Sequence, residues 1–144
     1  MNTINCFDQK LIKHSFRKKR GNYWVLELDG GFIIINLQRS RFNNKVYFIN
    51  IGGKSKQISN SIGKLHQEYW HFRGRYGSLI GETELLSELI NEEDCNTGYI
   101  DDLVCKINSI VVPYISQYFD ITFFKKEINE GNYDFLRLLT SVDY

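Results

Sequence analysis

Alanine is absent from all 144 residues, and proline and methionine occur once each. Asn, Ile, Lys and Tyr take alanine's place, and their AT-rich codons point to an AT-rich bacterial genome. Cysteine is scarce and odd in number: Cys6, Cys95 and Cys105 are widely spaced, with no Cys-x-x-Cys pair. That spacing suggests neither a disulfide framework nor a zinc knuckle, and reduced thiols in a cytoplasm fit it best. No run approaches the roughly 18 apolar residues of a membrane span. The first residues, MNTINCFDQK, lack the basic flank and apolar core of a signal peptide. An excess of either charge is missing too: 18 basic residues face 17 acidic ones, so no global field draws the chain to nucleic acid.

Recognisable catalytic motifs are also lacking. The sequence contains no Gly-x-Ser-x-Gly elbow, no P-loop, no Gly-x-Gly-x-x-Gly and no zinc-deaminase signature. Internal repeats and low-complexity segments are absent. His66 and His71 lie five residues apart, a poor spacing for joint metal ligation on a strand or a helix. Neither a metal nor another cofactor is expected. Cys6 reads as a buried structural residue rather than a nucleophile.

What is present is aromatic and β-rich. Aromatic residues make up 15% of the chain, so Tyr and Phe supply much of the core. The length matches one domain, residues 1–144, with a helix and a sheet up to residue 80 and a helical half after it. Ile4, Phe7 and Leu11 recur at helical spacing and predict a helix from Thr3 to His14, with Thr3 as its cap. Arg17 to Arg20 form a basic run that reads as a solvated connection. Tyr23 to Leu28 alternates as a strand, and Asp29-Gly30-Gly31 predicts a tight hairpin turn, by Asp29-Gly30 or by Gly30-Gly31. Phe32 to Leu37 continues as a mid-sheet strand, apolar on both faces at its start.

Lys45 to Ile51 is a third strand. An odd loop or a bulge near Asn43-Asn44 would set Leu37 against Ile51 and Arg41 against Tyr47, which matches polarity better than the two-residue alternative. Gly52 to Gly63 reads as a loop and Tyr69 to Tyr76 as a fourth strand, with Trp70, Phe72 and Tyr76 on one side. Helices are predicted over Glu82–Asn91, Gly98–Tyr118 and Ile121–Glu130, with a short one at Tyr133–Leu139. Pro113 should kink the long helix near Val112. Asp120 caps the Ile121–Glu130 helix and Gly131 ends it. The fold class is α+β: an N-terminal helix, a four-stranded, mostly antiparallel sheet, and C-terminal helices on one face.

Past Leu37 the strand turns polar, which singles out Asn36, Gln38, Arg39, Arg41 and Tyr47. The fourth strand adds His71, Arg73 and Arg75. If the two groups meet, four guanidiniums line one surface and can hold carboxylates or phosphates bidentately. The competing reading packs each arginine stem over an aromatic ring and pairs it with an acidic residue from the C-terminal helices. The acidic clusters Glu92-Glu93-Asp94 and Asp101-Asp102 read as solvated helix ends.

His14-Ser15-Phe16-Arg17-Lys18, Asn36-Leu37-Gln38-Arg39-Ser40, Phe48-Ile49-Asn50-Ile51-Gly52 and Arg73-Gly74-Arg75 together resemble the bacterial family called domain of unknown function 4304. The resemblance spans about Lys10 to Ile80, with a fainter echo around Val112-Pro113-Tyr114. Ser15 stands where members often carry glycine, and paired tryptophans after the fourth strand are missing. The family name implies a fold and no activity. The expectation is therefore a non-enzymatic, cytoplasmic bacterial binding domain with an acidic protein partner and no membrane attachment. A toxin-immunity inhibitor would be one instance. Single-stranded RNA binding through Tyr23, Tyr47 and Tyr69 is the second reading, and a small-molecule enzyme without a known motif the third.

Overall fold

A computed structural model describes residues 2–43, 45–81, 85–87, 98–131 and 137–138. The chain opens with helix α1 (Thr3–Ile12), in which Cys6, Phe7 and Leu11 are buried. Its cap is Asn2, whose side chain accepts the Asn5 N–H at 2.8 Å. Thr3, expected in that role, is instead buried.

Helix α1 ends by a sharp reversal in which the Phe16 N–H reaches back to the Leu11 carbonyl at 3.2 Å. Ser15 makes this turn with φ +71°, a left-handed backbone that strains any residue with a Cβ. Glycine would take this conformation without that strain. Ser15→Gly should raise stability by about 0.5–1 kcal/mol, read as a higher urea midpoint at unchanged slope.

Among the described residues one sheet follows, in the order β1-β2-β3-β4-β5-β7, with β6 also on β4. Its strands are β1 (Arg17–Lys19), β2 (Tyr23–Glu27), β3 (Gly31–Arg39), β4 (Val46–Ser55), β5 (Phe72–Arg75), β6 (Leu85–Ser87) and β7 (Arg137–Leu138), and every pairing is antiparallel. This exceeds the four strands expected. The basic run Arg17 to Lys19 is a strand, a fully exposed edge whose charges oppose unwanted pairing. Leu85–Ser87 is a strand rather than part of a helix, and so is Arg137–Leu138. The rest of the helices expected at 82–91 and 133–139 lies outside the described residues, as do Glu92-Glu93-Asp94.

The first hairpin turns at Asp29-Gly30, with Leu28 and Gly31 exchanging backbone hydrogen bonds. Neither residue takes a positive φ. Glycine is needed for space: a Cβ on Gly31 would lie 2.3 Å from the Lys54 carbonyl and 2.6 Å from the Phe119 ring. In the second hairpin Leu37 pairs with Ile49 and Arg39 with Tyr47, and Ser40 bonds Val46. The odd loop is there, and apolar residues do face each other. The register is two residues from the expected one, so Tyr47 faces Arg39 and not Arg41. Strand β4 also runs on through Gly52-Gly53 to Ser55, where a loop was expected.

One side of the sheet carries the main core. Trp24, Leu26, Ile33, Ile35, Leu37, Ile49, Ile51 and Phe72 join residues of α1, of α3 (Tyr99–Lys106) and of α5 (Ile121–Glu130). The Trp24 ring meets Phe7 edge-on at 5.2 Å and donates to Asp8 at 2.8 Å. Phe72 sits among Tyr118, Phe119 and Phe124, with centroids 5.7–5.9 Å away. The short α2 (Tyr76–Ile80) follows β5 directly. Between α3 and α4 (Val112–Ser116), the turn at Ile107–Val111 widens to π-helical geometry, just before Pro113. That widening is how the helix absorbs the missing proline N–H. Helix α5 has the expected ends: Asp120 accepts the Thr122 N–H at 2.9 Å, and Gly131 closes it at φ +70°. Cys6 is disulfide-bonded, against the expectation of reduced thiols, while Cys105 is a free, exposed thiol.

Candidate functional site

The other side of the sheet is only half covered. Ile62, Leu65 and Trp70, from the segment between β4 and β5, close over Val25, Phe32 and Ile34 in a second small core. Trp70 therefore lies opposite Phe72, not beside it as strict alternation predicted. The cause is a 3₁₀ turn at Gln67–Tyr69, which delays the strand to Phe72.

Next to that cover the registers lay out an open, polar row. Lys19 pairs with Tyr23, Tyr23 with Asn36, Asn36 with Asn50 and Asn50 with Arg75, so one line of side chains crosses five strands. The adjacent line runs Arg17, Val25, Ile34, Gly52 and Arg73. Gln38 and Phe48 flank the row on its other side. Where the row meets the covering segment, an open cleft of about 400 Å³ is lined by Tyr23, Asn36, Gln38, His66, Gln67 and Arg73.

An amide network floors this cleft. Asn36 donates to the Asn22 carbonyl at 3.1 Å, and its side-chain oxygen accepts from Asn50 at 3.1 Å and from Gln67 at 3.4 Å. Asn50 also donates to the Gln38 oxygen at 3.1 Å. Asn36 and Asn50 are buried within a sheet of apolar neighbours, and their pairing satisfies groups that would otherwise be costly there.

The arginines do not form one cluster. Arg39 shares the face of Leu37 and Tyr47, on the helix side of the sheet. There it lies 4.7 Å over the Tyr47 ring and donates to its hydroxyl. Arg41 is exposed beyond the strand end. Arg73 and Arg75 occupy the opposite face with Asn36 and Gln38, and Arg75 stacks 3.9 Å over Phe48. Arg39 and Arg75 thus stack on aromatic rings, which is the first half of the competing reading. Arg73 differs. The ion pairs between described residues join Lys10 to Asp101, Lys56 to Glu27 and Lys106 to Asp102, and bring Glu68 near His66. None involves Arg73, which is half-buried in the cleft wall.

His71 is also outside the cleft. Its Nδ1 accepts the Ser55 N–H at 2.9 Å, so the ring continues the β4 edge where strand β5 has not yet begun. Burial, and then the nearby Lys54 ammonium, lower its pKa from 6.5 to about 4. Lys54 is itself buried, and burial lowers its pKa. It donates to the carbonyls of Ile62 at 2.5 Å and Lys64 at 2.9 Å, which holds the covering segment against the sheet. Lys54→Met would leave those carbonyls unpaired. We expect a loss of about 1–3 kcal/mol and faster amide exchange across residues 56–65.

Sequence reasoning missed Gln67 and His66 as cleft residues, because nothing local marks a loop that folds back on a sheet. Asn50 was legible: it shares strand parity with Gly52 and breaks an apolar run, as Asn36 does in β3. Among the described residues no group of His, Cys, Asp or Glu side chains is placed to hold a metal ion. No described helix is long and apolar enough to cross a membrane.

Comparison with family models gives a match to "Domain of unknown function (DUF4304)" over residues 7–117. The chain belongs to the DUF4304 family. The match takes in α1 from Phe7 onward, the strands from β1 to β6 and the helices as far as Gln117, so the open face and the cleft of this DUF4304 chain lie wholly within it. No curated protein and no solved structure matches the chain.

Proposed function

We propose that this DUF4304 chain is a non-enzymatic bacterial binding domain whose open sheet face receives an acidic protein. The observation that carries the reading is the distribution of charge across that face. Its described strand residues include Arg17, Lys19, Arg73 and Arg75 with Glu27 as their acidic member, and Glu68 of the covering segment stands beside His66. Glu27 is already taken by Lys56 at 2.7 Å. A face with that imbalance on a chain of net charge +1 attracts an acidic surface locally without a global field. An immunity-type inhibitor of a toxin is one role such a domain fills.

We place the protein in a bacterial cytoplasm on its composition alone; its cysteine usage no longer supports that, because the Cys6 disulfide favours an oxidising compartment. A count of accessible thiols in unfolded, alkylated protein decides it. All cysteines reactive supports the cytoplasm, and Cys105 alone reactive supports an oxidising compartment.

The test of binding uses a labelled decapeptide rich in glutamate, followed by fluorescence anisotropy. Arg73→Ala with Arg75→Ala should weaken binding about ten-fold or more, since a hydrogen bond to a charged group contributes about 1.5–3 kcal/mol. Arg39→Ala, on the opposite face, should leave it unchanged. Tyr23 beside Lys19 and the exposed Tyr69 under Lys64 give the nucleic-acid reading its footholds, while Tyr47 is buried on the helix side. A single-stranded oligonucleotide that binds with a steep salt dependence would favour that reading and displace ours.

A further inference from the structure

The cleft beside the row has a hydrogen-bond polarity that the charge argument does not use. It can be followed from one fixed point. The Asn22 carbonyl is a backbone acceptor, so the side-chain group of Asn36 that faces it must be the amide NH₂. The Asn36 oxygen is thereby turned toward Asn50 and Gln67, and both must present NH₂ groups to it. Asn50 uses its remaining N–H on Gln38, which obliges Gln38 to offer its oxygen. The acceptors of Asn36 and Gln38 are therefore directed inward. Left unused by these bonds are the NH₂ of Gln38 and, on Gln67, one N–H and the side-chain oxygen.

The other cleft residues extend the same pattern. His66 accepts the Glu68 N–H at Nδ1 at 3.4 Å, which leaves Nε2 as the ring nitrogen not engaged there. Tyr23 retains its hydroxyl proton, since burial raises its pKa above 10. Arg73 contributes a guanidinium that has no carboxylate partner among the described residues. The lining is rich in donors and has a single fixed cation.

We propose that the cleft is a carboxylate subsite, in which Arg73 takes the charge and the amide N–H groups of Gln38 and Gln67 take the remaining lone pairs. A carboxylate is acceptor-only, which suits a lining of donors. Its single negative charge matches one guanidinium, whereas a dianionic phosphate would be left undercompensated. A nucleobase carries donors of its own and would set N–H against N–H. This subsite rests on the acidic-partner reading and sharpens it: one Glu or Asp side chain of the partner enters here, while the rest of the partner lies along the row.

The test is an NMR titration of the full chain, reading the side-chain amides of Gln38 and Gln67 and the Nε–H of Arg73. The probes are acetate, a capped single glutamate, the capped glutamine analogue and inorganic phosphate, all at one ionic strength. Acetate and capped glutamate should shift these resonances saturably, and capped glutamine should not. Gln38→Leu with Gln67→Leu, which keeps every charge, should weaken carboxylate binding about ten-fold.

Equal responses to glutamate and glutamine, or tighter binding of phosphate, would overturn the subsite. So would unchanged affinity in the double leucine variant while its amide spectrum shows it folded. The glutamate-rich decapeptide separates the two readings. If it binds tightly to that variant, the partner reading stands and the subsite falls. If free carboxylates fill the cleft but the decapeptide binds no better than acetate, the subsite stands for a small acid and the partner reading fails.

Discussion

Lowering the pH from 6.5 toward 4 should destabilise this protein by about 3 kcal/mol through His71 alone. The imidazole is buried and accepts the Ser55 N–H at Nδ1, which an imidazolium cannot do. In the unfolded chain it takes a proton near 6.5, and in the folded protein only near 4. Between those values the unfolded state binds more protons, so stability falls as the pH falls. The neutral ring's contribution is fully present above 6.5 and lost once the pH has passed below about 4. Urea unfolding at stepped pH measures the slope. His71→Asn places an acceptor oxygen where Nδ1 sits and does not titrate there, so its profile should lose this part of the slope and keep that of the carboxylates. An unchanged profile would mean that the ring is protonated in the fold.

Gly52→Ala should be the more damaging substitution, with a loss of about 3 kcal/mol or more, at the upper end for overpacking. A Cβ there would lie 2.2 Å from the Phe72 carbonyl, 2.8 Å from the Arg73 Cα and 2.8 Å from the Trp70 ring. Two of those neighbours are backbone atoms of β5, so relief requires moving the strand that presents Arg73. Trp70 cannot yield freely either, because its indole N–H is held by the Leu65 carbonyl at 2.8 Å. Thermal unfolding should show a clearly lower midpoint, and binding of the acidic decapeptide should weaken with it. A variant as stable as the parent would show that β5 is less closely fixed on β4 than the structure places it.

The elements of the fold and the cleft differ in how readable they were from sequence. Residues Phe32 to Leu37 announced a central strand by composition, and Asp120 and Gly131 marked α5 to the residue, because caps and apolar runs are local signals. The strand at Arg17–Lys19 gave no such signal: an exposed edge has no buried side and therefore no alternation. Leu85 and Leu86 carried helical spacing, yet pairing with Tyr47 and Phe48 decided for a strand. Here tertiary contact overrode propensity.

Of the residues singled out, Asn36, Gln38 and Arg73 line the cleft and Arg75 shares their face, whereas Arg39, Arg41, Tyr47 and His71 had been grouped with them on polarity alone. Strand parity already placed Arg39 with Leu37, opposite Gln38. What no local pattern held was the strand order and the return of Gln67 over the sheet. Those depend on β4 lying between β3 and β5, a long-range choice.

The account stands on which face of the sheet meets the partner. Backbone chemical-shift mapping during titration with the glutamate-rich decapeptide tests this most directly. Shifts should concentrate on Lys19, Tyr23, Asn36, Gln38, Asn50 and Arg73, and Arg39 and Tyr47 should stay still. Shifts centred on Arg39 and Tyr47, or on the helices that cover the other face, would contradict it.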